Sequence, residues 1–97
     1  MKSLKETIKE AKPTLVVIMH PGSQDAVEIK YLVDDIKKKY PGQANTARVD
    51  DVHGQYKVEY RLDEYPTFIV FKEGQELMRE SGHKSASQLE EMIERAL

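Results

Sequence analysis

The stretch that decides the fold is Leu15-Val16-Val17-Ile18-Met19, then His20-Pro21-Gly22-Ser23-Gln24-Asp25-Ala26, then a helical pattern to Tyr40. Five consecutive apolar residues suit a strand covered on both faces. Ala26, Ile29, Val33, Ile36 and Tyr40 recur at steps of three and four, as on one face of a helix. Glu28, Lys30, Asp34, Lys37 and Lys38 occupy the opposite face. Between them, His20-Pro21-Gly22 breaks the chain, Ser23 is a good N-cap and Asp25 complements the helix dipole. In α/β proteins such a strand-to-helix junction is where ligands bind.

Composition bounds the rest. Ninety-seven residues make one small domain, expected to span 1–97. With 39% hydrophobic and 33% charged residues, the chain suits a compact fold with a charged surface. No apolar run approaches the roughly 20 residues of a membrane span. Net charge is −2, so electrostatics point to no nucleic-acid partner. The start, Met1 to Glu6, carries no apolar signal region, and a cytoplasmic setting is expected. Cysteine is absent, which removes disulfides, thiol catalysis and cysteine metal sites from this chain.

The pattern from Ser3 to Ala11 predicts a short helix with Leu4, Ile8 and Ala11 as its stripe, stopped at Lys12-Pro13. Thr14 to Met19 is a central strand. Lys37-Lys38-Lys39 reads as a solvated helix end, and Pro41-Gly42 closes that helix. Asn45 to Asp50 is a short strand with Ala47 and Val49 apolar, and Val52 to Leu62 a weaker helical segment interrupted by Gly54. Thr67 to Phe71 is a second buried strand, and Glu73-Gly74 signals a hairpin turn. Gln75 to Ser81 pairs back, and Gly82 breaks it. Ser85 to Gln88 fits a capping box, followed by Leu89, Met92, Ile93 and Ala96 on a closing helix. The order predicts a mixed sheet of four strands with helices on both sides.

Glu59-Tyr60-Arg61-Leu62-Asp63-Glu64-Tyr65-Pro66-Thr67-Phe68-Ile69-Val70-Phe71-Lys72-Glu73-Gly74 resembles the thioredoxin family's Tyr-Gly-Ile-Arg-Gly-Ile-Pro-Thr-Leu-Leu-Leu-Phe-Lys-Asn-Gly segment. Lys12 to Val17, Gly82 and Ser87-Gln88-Leu89 fit as well, so the resemblance runs from Ser3 onward. It implies a thioredoxin-like α/β three-layer sandwich, here without the usual first strand. The family's strand runs into Trp-Cys-Gly-Pro-Cys at the start of the long helix. Matched without gaps, those positions are Gly22, Ser23, Gln24, Asp25 and Ala26, and the family's buried acidic residue matches Val17.

Thiol–disulfide exchange needs one thiolate to attack and a second thiol to resolve the mixed disulfide. The hydroxyl of Ser23 stays protonated near neutral pH and supplies neither. Two origins compete: natural loss of the motif, or deliberate replacement of cysteines in an oxidoreductase. Replacing thiols alone would leave the tryptophan, proline and buried acid in place. All three differ here, which favours natural loss.

Other chemistry is weaker. Ser23 with His20 as base lacks an orienting carboxylate and a Gly-x-Ser-x-Gly elbow, so Ser23 is expected to be an N-cap. His20, His53 and His83 with Asp50 and Asp51 match no metal-binding spacing, and no metal or other cofactor is expected. Pro66 matches the family's cis-proline, which lines the substrate groove; a retained structural kink is the other reading. The Tyr65 backbone would then offer hydrogen bonds to an extended peptide. Tyr56, Tyr60 and Tyr65 offer aromatic area, with Tyr56 or Tyr60 alternatively in the core.

The expected function is a redox-inactive thioredoxin-like module that binds a protein or peptide, not an enzyme. Its groove would comprise His20, Pro21, Gly22, Ser23, Gln24, Asp25, Tyr65, Pro66, Thr67, Gly82 and His83. The alternatives are an oxidoreductase whose cysteines were replaced at Ser23 and Ala26, and a structural subunit that assembles through the open edge at Asn45–Asp50. A monomer or weak homodimer is expected, with no nucleic-acid or membrane partner.

Overall fold

The computed structural model describes residues 3–97. In chain order its elements are α1 (Leu4–Thr7), β1 (Thr14–Met19), α2 (Ala26–Lys39), β2 (Asn45–Asp50), α3 (Gln55–Glu59), β3 (Thr67–Lys72), β4 (Gln75–Ser81) and α4 (Ala86–Ala96). The sheet order is β2-β1-β3-β4. β1 and β2 run parallel, with Val16 opposite Ala47. β3 pairs antiparallel with both β1 and β4.

The central strands explain themselves by alternation. Leu15, Val17 and Met19 point to one face, where Ile29, Val33 and Ile36 of α2 meet Leu89, Met92 and Ile93 of α4. Val16 and Ile18 point to the other, with Ile69, Phe71, Leu62 and Ile8. Every residue of β1 is therefore buried. Truncating such a residue, Ile69 for example, to alanine costs about 2–5 kcal/mol. Val17 is fully enclosed, so an apolar side chain sits where the family resemblance places a buried acid.

The thioredoxin-like architecture expected from the sequence is the one found: a mixed four-strand sheet with helices on both faces. Three local expectations are corrected. The helix expected over 3–11 forms only at Leu4–Thr7. Its continuation is pulled into the β3–β4 hairpin, because the carbonyls of Ile8 and Glu10 accept bonds from the N–H groups of Gly74 (2.8 Å) and Glu73 (2.9 Å). Ala11 is consequently exposed. The segment 52–62 narrows to α3, bounded by left-handed backbone at Gly54 (φ 68°) and Arg61 (φ 54°). Finally, α2 begins at Ala26 with Asp25 as N-cap, so Ser23 does not cap the helix.

The closing helix matches its signature. The Ser85 side chain accepts from the Gln88 N–H, and the Gln88 side chain accepts from the Ser85 N–H.

Candidate functional site

Three loops converge at one end of the sheet, and pairing register brings them there. Ile18 lies opposite Thr67, and Thr67 opposite Ser81. The residues just beyond these strand ends must therefore be neighbours. They are residues 20–25 after β1, 64–66 before β3, and 82–83 after β4.

The first loop is a pair of tight turns. The Ser23 N–H donates to the His20 carbonyl (3.2 Å), and the Ala26 N–H to the Ser23 carbonyl (3.2 Å). The Ser23 hydroxyl accepts from the Asp25 N–H at 3.2 Å. Its oxygen closes a turn that precedes the helix, where Asp25 takes the N-cap position. The His20 ring lies against its own loop, with Nδ1 2.9 Å from the Pro21 carbonyl. Gly22 takes φ 77°, a conformation that favours glycine. Gly22 and Gln24 are exposed, and Pro21 is half-buried.

The second segment is held more deeply. The Tyr65–Pro66 peptide is cis, and Pro66 and Thr67 are buried. The Thr67 hydroxyl donates to the Glu64 carbonyl at 2.6 Å. The Tyr65 hydroxyl donates to Asp51 at 2.6 Å. The same carboxylate accepts the N–H groups of Tyr56 (3.0 Å) and Lys57 (2.8 Å) at the start of α3. Asp51 is 3% exposed. Its own N–H donates to the Met19 carbonyl at 2.9 Å, which ties it to the end of β1. Burial pushes the Asp51 carboxyl upward, but the hydrogen bonds from Tyr65, Tyr56, Lys57 and Gln55 outweigh it and hold it below the usual value. The Tyr65 hydroxyl is pushed up to about 12, first by its bond to Asp51 and then by desolvation and the nearby negative charge.

Contacts cross between the loops. The His20 and Tyr65 rings meet edge-on with centroids 5.6 Å apart. The Lys57 ammonium sits 5.6 Å over the Tyr65 ring. Gly82 donates its N–H to the Pro66 carbonyl at 2.9 Å. His83 Nε2 lies 3.0 Å from Asp25 Oδ2, joining the start of α2 to the turn after β4. The structure thus brings His20, Asp25, Tyr65, Gly82 and His83 together around the buried Pro66. Among the described residues, the Tyr65 N–H and C=O have no main-chain partner.

Sequence reasoning missed Asp51 and Lys57 as parts of this surface. The signal was available for Asp51: one acidic residue stands between a strand end and a short helix, where free N–H groups need an acceptor. Nothing in the pattern linked it to Tyr65, fourteen residues away. Tyr56 and Tyr60 stack with centroids 6.3 Å apart, and Tyr60 packs edge-on against Phe71. They belong to the core side of α3. No three His, Cys, Asp or Glu side chains gather as a metal-binding group among the described residues. No described helix is long and apolar enough to cross a membrane.

Comparison with known proteins follows this geometry. A family model described as Thioredoxin matches residues 2–95. The X-ray structure of Fasciola hepatica thioredoxin is 26% identical, with a TM-score of 0.79, covering 92% of this chain and 85% of that one. The crystal structure of a designed protein is 22% identical, with a TM-score of 0.84, covering 95% of this chain and 82% of that one; that likeness concerns the fold.

Proposed function

The chain belongs to the thioredoxin family, and from that premise we propose that it is a redox-inactive member, a single domain over 1–97 that binds an extended segment of a protein or peptide. It has no cysteine, so the thiol step of the family's chemistry has no reagent here. The binding groove would lie beside Pro66, with His20 to Asp25 as one wall and Tyr65-Pro66, next to Gly82-His83, as the other.

The observation that carries this reading is the unpaired main chain of Tyr65. A donor and an acceptor on one residue, at the mouth of a groove, are what an incoming strand needs to add itself. Side-chain selectivity would come from the Tyr65 and His20 rings and from the Asp25–His83 pair.

Affinity capture from native lysate, with variants substituted at Tyr65 and Pro66 alongside the parent chain, tests the site. Captured partners should be lost with those variants; recovery that is unchanged would move the binding surface elsewhere. Reduction of insulin disulfides at a thioredoxin-like rate by this chain would overturn the redox assignment.

A further inference from the structure

The two edges of the sheet are guarded differently. On β4, charged side chains are used within the chain: Arg79 holds Glu76 at 2.6 and 2.7 Å, and Lys84 lies 3.9 Å from Glu80. The pairing of β4 with β3 also shifts register between Val70 and Phe71, an irregularity that disfavours further pairing.

β2 has neither device. Its inward hydrogen bonds run from odd-numbered residues, as shown by Asn45 N–H to the Pro13 carbonyl (2.8 Å) and Asp51 N–H to the Met19 carbonyl (2.9 Å). Parity then aims the N–H and C=O groups of Thr46, Arg48 and Asp50 out of the sheet. β2 is the terminal strand and contains no proline or glycine. A cleft of about 460 Å³ opens beside Arg48 and Asp50, between β2 and Gln55 and Tyr56 of α3. Arg48 and Asp50 are exposed and have no ion-pair partner among the described residues.

We propose that this edge pairs with the same edge of a second copy of the chain, Arg48 of each copy facing Asp50 of the other. A two-fold axis forces identical strands to run antiparallel. Residues whose main-chain groups face outward must then oppose one another. The register centred on Val49 sets Arg48 opposite Asp50 twice. The register centred on Arg48 would oppose two guanidinium groups, and the one centred on Ala47 would place Arg48 opposite Thr46, with no ion pair. Charge therefore selects the first. It forms two hydrogen-bonded residue pairs, each exchanging two N–H···O bonds. The Asp50 carbonyl already accepts the Val52 N–H at 3.0 Å, and its second lone pair serves the partner. An edge of six residues buries little area, so the dimer is weak and forms only at high concentration.

Sedimentation equilibrium of the full chain, from micromolar to millimolar, gives the test. The parent chain should move from 11.2 kDa toward twice that mass. R48D alone and D50R alone each turn two attractions into two repulsions and should raise the dimer dissociation constant about tenfold or more. An equimolar mixture of R48D and D50R should recover association, because one copy then carries two acids and the other two guanidinium groups. Both positions are exposed, and matched thermal unfolding of the variants checks that the fold survives. A parent chain that stays at one-copy mass throughout overturns the proposal, as does a dimer indifferent to both substitutions or a mixture that fails to recover it.

Discussion

The two walls of the proposed groove are built by opposite means. The wall from His20 to Asp25 is exposed or half-buried throughout and is tied by short turns, the His20 ring against Tyr65 and the Asp25–His83 contact. The wall around Tyr65 and Pro66 rests on a buried carboxylate that gathers donors from Tyr65 and from the start of α3. By the family resemblance, Ser23 and Ala26, in and just after the first wall, match the family's two cysteines. The second wall holds shape. The segment without thiols is thus the one held by few contacts, and the segment anchored by Asp51 is the one whose loss would cost stability.

Removing the anchor of the second wall breaks this contrast most directly. Asp51→Ala leaves the donors of Tyr65, Tyr56, Lys57 and Gln55 short of an acceptor and should cost about 3 kcal/mol, read by urea unfolding. The corresponding fall in Tm is about 10–20 °C for a domain of this size. A loss as small as that of Asp25→Ala would mean the two walls are equally loose.

Acid should undo the same anchor. The carboxyl of Asp51 is held below its unfolded value, so its stabilisation is present above the ordinary carboxylate range and disappears as pH falls through the folded value. Acid unfolding of Tyr65→Phe, which loses one of the donors, should therefore begin at higher pH than in the parent chain. The same variant should unfold more easily at neutral pH, by less than Asp51→Ala. The Tyr65 hydroxyl itself titrates at about 12. In Asp51→Asn, NMR should show its ionisation moving back toward the ordinary tyrosine value near 10.

The first wall gives the smallest effect. The Asp25–His83 contact joins an exposed histidine to a half-buried carboxylate that makes no side-chain cap bond, and Asp25→Ala or His83→Ala should each change stability by about 0.5 kcal/mol or less, with salt reducing it further. A larger change would mean that the α2 start and the β4–α4 turn are rigidly coupled.

Much of this fold is legible in the residues, for a physical reason. Thr14–Met19, Asn45–Asp50 and Gln75–Ser81 have the bounds their patterns predict, because strand residues there are sorted by burial or bounded by breakers. The end of α1 is not legible, since the carbonyls of Ile8 and Glu10 are claimed by a hairpin more than sixty residues away. The start of α2 is misread for a local reason: a serine near a helix start satisfies a turn as readily as a cap. At the site, the grouping of His20 to Asp25 with Tyr65, Pro66 and His83 follows from the family resemblance. The Asp51–Tyr65 bond does not, because it depends on how α3 packs under β1, which no spacing encodes.

The central claim is that the Tyr65 main chain receives a peptide strand. Its most direct test is amide hydrogen exchange at Tyr65 in the 15N-labelled protein, with and without a peptide selected from an extended-peptide display library. The account predicts that peptide slows exchange at Tyr65 and shifts the signals of residues 20–25 and 82–83. Tight peptide binding that leaves the Tyr65 amide and those loops unchanged would contradict it.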